Sequence, residues 1–372
     1  MPLDPFFAER LRVHRRYLLG KAWHRVRDAV RGLLHPRDPG VRPRPGGARP
    51  GLGRTPGSRP ATARPGRTPA TARAKHRRAA LAWDRTELET VGTPGPELRI
   101  TEHLVPVPGF PDVRVRVYHP PQPERPVPGV IAFFGGAFRI GGIDYPTTDA
   151  AFRRRAHDAG VAIVAVDYAL APEHRYPTQV EQGYACLEWL IAHADELGID
   201  AERIGIAGIS AGGSLAAAVT LVNRDRARHP LRLQLLEVPV VDLTGRHLDL
   251  RATWALGIPA LIALRELRSV ARTYLPRATA AREPIASPIR AASHRGLPPA
   301  VILTAEYDPL RGHGDAYGAA LRRDGVAASV VQYRGGTHDT ALFTGALPLA
   351  RRWHDDVVAA LRSLHTLEPP SR

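Results

Sequence analysis

The chain has 372 residues, 44% of them hydrophobic and 24% charged. This is enough to bury a core, and it excludes collagen-like, wholly disordered and disulfide-scaffold architectures. The formal net charge of +16 lies at one end, because residues 1–80 hold 20 Lys and Arg against 4 Asp and Glu whereas residues 81–372 hold 32 of each.

Phe7, Leu11, Leu18, Val26, Val30 and Leu33 recur at roughly helical spacing among basic side chains, so residues 1–35 read as amphipathic N-terminal helices. Such a stripe covers either the domain behind it or, as a peripheral contact, an anionic membrane. Residues 36–80 are dominated by Pro, Gly, Arg, Ala and Thr, with Pro-Ala-Thr-Ala-Arg at 60–64 and again at 69–73. With no periodic apolar face to bury, this stretch is expected to be a disordered basic linker. Its arginines are not interleaved with aromatic residues, so no specific nucleic-acid partner is expected.

Residues 81–372 form the expected main domain. Leu98–Val107 and Val113–Tyr118 alternate apolar and polar residues like an antiparallel pair. Val127–Phe134, Val161–Val166, Arg203–Ala207, Leu231–Val238, Ala300–Ala305 and Ala328–Tyr333 are short, mostly apolar runs. Helical patterns such as Gln179–Leu197, Leu215–Arg228 and Asp315–Arg323 separate them. The alternation predicts an α/β fold with a mostly parallel central sheet flanked by helices and entered through an antiparallel pair. The interval 242–283 breaks that rhythm, lacks a strand and reads as a helical cap insertion.

Gly208-Ile209-Ser210-Ala211-Gly212 sits between a predicted strand and a predicted helix. A serine on so sharp a turn needs small neighbours, and the helix beyond favours developing negative charge. Ser210 is therefore the expected nucleophile. Phe134-Gly135-Gly136-Ala137-Phe138 leaves another strand end and can bring N–H groups close to a ligand. The N–H groups of Gly136, Ala137 and Ala211 are the expected oxyanion donors. Asp308 and His338 each follow a later strand and so emerge at the same sheet edge, as acid and base. Asp242 and Asp339 fit less well, the first following an earlier strand and the second adjoining the histidine.

Five motifs agree in order and context: Asp167-Tyr168-Ala169-Leu170-Ala171-Pro172-Glu173-His174, Gly208 to Gly213, Ser287-Pro288-Ile289, Asp308-Pro309-Leu310-Arg311 and His338. From about residue 98 to 365 the chain resembles the hormone-sensitive lipase-like family of α/β hydrolases (the alpha/beta hydrolase fold-3 group), which includes bacterial carboxylesterases. The resemblance implies a Ser210, Asp308, His338 triad under a lid made of the N-terminal helices and the 242–283 insertion. It departs from the family pattern where Phe134 replaces a histidine, Ile209 precedes the serine, and Asp339-Thr340 follow His338.

The expected activity is a serine carboxylesterase acting on a small-molecule ester of short- to medium-chain acyl length. Phe138, Trp254, Leu256, Ile258 and Leu261 are the expected pocket residues. The alternative is a non-catalytic small-molecule-binding protein on the same fold. The one cysteine, Cys186, allows neither an intramolecular disulfide nor a cysteine zinc site, so no metal and no cofactor is expected. No apolar run reaches the roughly 20 residues of a membrane span and no signal-peptide core is present, so a cytoplasmic location is expected. Oligomeric state has no signature in the sequence.

Overall fold

A computed structural model describes residues 3–12, 69–121 and 126–366. The chain divides into two units, Asp4–Ala74 and Met1–Leu3 with Lys75–Arg372. In the first, residues 5–12 are helical. The rest of the expected N-terminal helices, and the linker up to residue 68, lie outside the described residues.

The second unit is built on an eight-stranded sheet: β1 (Ile100–Val105), β2 (Val113–Tyr118), β3 (Val127–Phe133), β4 (Ala162–Val166), β5 (Ile199–Ile209), β6 (Leu231–Glu237), β7 (Ala300–Ala305) and β8 (Ala328–Tyr333). Their spatial order is β1-β2-β4-β3-β5-β6-β7-β8. The β1–β2 and β2–β4 pairings are antiparallel and the remainder parallel, as the alternation of patterns predicts. Strand β4 is buried at all five positions, as a central strand covered on both faces must be. At the edge, β8 alternates between half-buried and exposed side chains along most of its length.

The helices are α1 (Pro69–Thr90), α2 (Pro146–Ala159), α3 (Thr178–Ala192), α4 (Ala194–Leu197), α5 (Ala211–Asp225), α6 (Arg251–Ala255), α7 (Ala260–Tyr274), α8 (Arg311–Arg323) and α9 (Pro348–Arg362). Helices α6 and α7 occupy the expected insertion, and no strand interrupts it among the described residues. Helix α7 buries Leu267, Val270 and Tyr274, which lie three, four and seven residues apart and so share one face. No helix of the described residues is long and apolar enough to cross a membrane.

Several boundaries differ from expectation, and three of the differences have a local cause. Residues 69–80 belong to helix α1 and not to a linker. From Pro69, which suits a first helical turn, to Thr90 the chain contains no further Pro and no Gly, and it is rich in Ala, Arg, Leu and Glu. Helix propensity outweighs the missing apolar stripe there. Strand β5 starts at Ile199, where its first two residues pair with Val127 and Pro128 of β3 before a register shift. The predicted Gln179–Leu197 helix is broken at His193 into α3 and α4.

The candidate active site

Ser210 stands between β5 and α5 with φ 57° and ψ −114°, a backbone conformation that costs an L-residue strain. Neighbouring atoms explain why this turn needs glycines. A Cβ on Gly208 would lie 2.1 Å from the Gly212 carbonyl oxygen, and one on Gly212 would lie 2.3 Å from that of Phe133. The serine is pinned through its own backbone as well: its N–H donates to the Glu237 carbonyl at 2.8 Å, and its carbonyl accepts from Val240 N–H at 3.2 Å. Both partners lie at the end of β6 or just after it, so the neighbouring strand holds the turn.

Asp308 follows β7, and His338 follows β8. The loops that carry them are stitched together: Glu306 N–H donates to the Tyr333 carbonyl, Tyr307 N–H to the Gly336 carbonyl, and Gly335 N–H to the Glu306 carboxylate. Asp308 is buried and accepts Leu310 N–H on Oδ1 at 2.9 Å. Its Oδ2 lies 2.7 Å from His338 Nδ1, and His338 Nε2 lies 3.0 Å from Ser210 Oγ. The structure thus brings the three sequence-predicted residues into one continuous chain of hydrogen bonds. Burial opposes the imidazolium, but the charge and hydrogen bond of Asp308, with a further contribution from Asp339, outweigh it and raise His338 from 6.5 to about 9. Asp242 is engaged elsewhere, accepting from Thr244 and bonding His247 Nδ1 at 2.7 Å.

The loop after β3 turns tightly over the serine. Gly136 has φ 135°, and a Cβ there would meet the Ile140 carbonyl oxygen at 2.0 Å. Ala137 and Phe138 also take positive φ, 53° and 60°. Among the described residues the Gly136 and Ala137 N–H groups have no hydrogen-bond acceptor. Ala211 opens α5, so its N–H has no partner within the helix. These are the three donors the sequence singles out.

Two residues that sequence reasoning missed hold this loop. Phe134, where the family pattern has histidine, stacks face to face on Tyr168 with ring centroids 4.1 Å apart. The Tyr168 hydroxyl donates to the Phe134 carbonyl at 2.9 Å, so aromatic packing secures the loop without an imidazole. Arg77 of α1 donates from Nε to the Arg139 carbonyl and from Nη2 to the Ala171 carbonyl, both at 3.0 Å. Tyr168 stood inside a recognised motif that could have flagged it. Arg77 carried no such signal.

The expected pocket residues separate. Phe138 is a correction: it is fully buried and stacked on Tyr274 with centroids 3.8 Å apart, so its ring is packing between the loop and the cap, with no face free for a ligand. Trp254 and Leu261 are 76% and 67% exposed and stand in solvent; the apolar set of α6 and α7 is broader than the face they bury. Leu256 and Ile258 are half-buried.

Comparison with known proteins agrees with this architecture. Residues 130–342 match the alpha/beta hydrolase fold family. The chain is 35% identical over 288 residues to carboxylesterase NlhH of Mycobacterium tuberculosis, covering 76% of this chain and 89% of the relative. It is 34% identical over 230 residues to an ethyl acetate hydrolase of Pseudomonas putida, covering 60% and 70% respectively. Among solved structures, the thermophilic carboxylesterase EstE1 from a metagenomic library superimposes with a TM-score of 0.72 at 34% identity, over 80% of this chain and 99% of that one. The chain belongs to the alpha/beta hydrolase fold family, within its hormone-sensitive lipase-like group of carboxylesterases.

Proposed function

We propose that the protein is a serine carboxylesterase that works through an acyl-enzyme on Ser210. The observation that carries this reading is the unbroken contact from Ser210 Oγ through His338 to the buried Asp308 carboxylate. In the first step Ser210 Oγ attacks the ester carbonyl carbon while its proton passes to His338 Nε2. The carbonyl oxygen becomes an oxyanion facing the N–H groups of Gly136, Ala137 and Ala211. As the C–O bond to the alcohol breaks, His338 returns that proton to the leaving oxygen. Water then repeats the sequence, giving its proton to His338, cleaving the acyl-serine bond and releasing the carboxylic acid with Ser210 restored. Asp308 fixes the tautomer and stabilises the imidazolium throughout.

Short- to medium-chain acyl esters are the proposed substrates, in keeping with relatives named carboxylesterase and ethyl acetate hydrolase. The buried free thiol of Cys186 suits a reducing, cytoplasmic setting. The basic N-terminal segment is proposed to contact anionic membrane peripherally.

A p-nitrophenyl ester series from acetate to dodecanoate tests the reading. The natural chain is expected to prefer the shorter acyl groups, and Ser210→Ala to lose at least about a thousandfold in kcat. Absence of turnover by folded protein would favour a non-catalytic binding protein on the same fold, and a variant as active as the natural chain would remove Ser210 as the nucleophile.

A further inference from the structure

A cavity of about 320 Å³ opens beside α8, away from Ser210 in its lining. Its walls come from three places: the turn Pro288–Arg290, the α8 face carrying Ala316, Ala319 and Arg323, and His247 from the loop after β6. Spacings of three, four and seven residues put the three α8 side chains on one side of the helix.

The charges in this cavity are one-sided. Arg290 and Arg323 both line it, no carboxylate does, and neither guanidinium pairs with an acidic group among the described residues. Arg290 Nε is shielded from solvent and has no hydrogen-bond partner, so this nitrogen does not itself face the open cavity. His247 is held from behind, its Nδ1 on the fully buried Asp242 at 2.7 Å, which presents the imidazole at a fixed angle. The remaining walls, Ile289 and the three alanines Ala291, Ala316 and Ala319, offer carbon and no polar side-chain group.

We infer that this cavity is a binding site for a small organic carboxylate, with Arg290 and Arg323 taking the carboxylate and the apolar walls taking a short aliphatic chain. A guanidinium offers paired donors in the plane that a carboxylate matches. The volume is at the low end of small-molecule sites, which begin at about 300 Å³. Inorganic phosphate would satisfy the arginines and leave the carbon walls unused. The end of α8 bears a partial negative charge that opposes any anion, but two full guanidinium charges outweigh it. The site stands independently of the hydrolytic reading, since carboxylates need not be turned over to bind.

Isothermal titration of the full chain with butyrate, hexanoate and inorganic phosphate tests the site, alongside Arg323→Gln and Ala319→Leu. Arg323 is exposed near a helix end, so its replacement leaves the fold intact, and the leucine fills the cavity without touching a charge. Hexanoate is expected to bind more tightly than butyrate and phosphate, and to weaken about tenfold in Arg323→Gln, the loss of one charge-assisted contact. It should weaken in Ala319→Leu as well, while kcat/KM for ester hydrolysis without added carboxylate stays unchanged in both variants. Equal affinity for hexanoate in all three proteins would place the carboxylate elsewhere and overturn the inference. So would phosphate binding as tightly as hexanoate, or no binding of either carboxylate.

Discussion

In the proposed mechanism the imidazole of His338 must be without its second proton before it can accept one from Ser210. Asp308 works against that condition in the free enzyme, because the carboxylate that orients the ring also stabilises its charged form and raises it to about 9. The base form therefore accumulates only as pH rises, and kcat/KM is expected to climb through the neutral range, its acid limb centred above the ordinary histidine value of 6.5. Asp308→Asn should move that limb downward and cut kcat by about 10³- to 10⁴-fold; a pH–rate profile of the two proteins reads both effects. A limb at or below 6.5 in the natural chain, or one unmoved by the substitution, would contradict the assignment. Ser210, Asp308 and His338 were legible in the sequence because each comes just after a strand, and parallel strands deliver their C-terminal loops to one edge. Tyr168 and Arg77 act on main-chain carbonyls 34 to 94 residues away, and no local pattern encodes a contact of that kind. Phe134 was legible only as a missing imidazole; its stack on Tyr168 depends on packing in three dimensions.

Helix α1 shows how an element can be hidden by composition. Its first residues repeat the Pro-Ala-Thr-Ala-Arg of 60–64, and an apolar-period search passes over them. What defines the helix is an unbroken run of good helix formers after Pro69 and its docking through a few polar contacts. Asp84 accepts the N–H of Thr147, at the start of α2, at 3.0 Å, so one helix caps another. Arg77 holds the Arg139 carbonyl at the end of the loop after β3 and the carbonyl of Ala171, whose N–H bonds the loop at Phe138. Arg77→Ala is expected to lower kcat/KM about tenfold by freeing that loop, with circular dichroism unchanged and Arg78→Ala, an exposed neighbour, close to the natural rate. Equal rates for the two variants would show that the loop keeps its shape unaided. Strands β2, β7 and β8 were legible to the residue because apolar pattern and pairing coincide there. The early start of β5 was not, since Ile199 and Asp200 join the sheet across a register shift that breaks the pattern.

At the scale of the whole molecule, charge and chemistry are separated. Residues 1–68 carry 16 Lys and Arg against 4 Asp and Glu, whereas the sheet and its edge lie in a part of the chain that is close to neutral. Association of the full chain with anionic vesicles is expected to fall steeply as salt rises from about 50 to 200 mM, and to vanish when residues 1–68 are deleted. Sedimentation with the vesicles measures it, and binding that persists in the shortened chain or ignores salt would overturn the proposed membrane contact. The insertion between β6 and β7 has a different relation to the site. Phe138 stacks on Tyr274, and Arg139 bonds both Glu266 and Ser269, so the loop bearing the proposed oxyanion donors is strapped to α7 at three points. Any ester bulky enough to lever α7 outward on entry would drag those donors from position at the moment they are needed. Substrate size would then be judged by mechanical timing as much as by fit: small esters slip in beneath a settled lid, and large ones must wait for it to settle again.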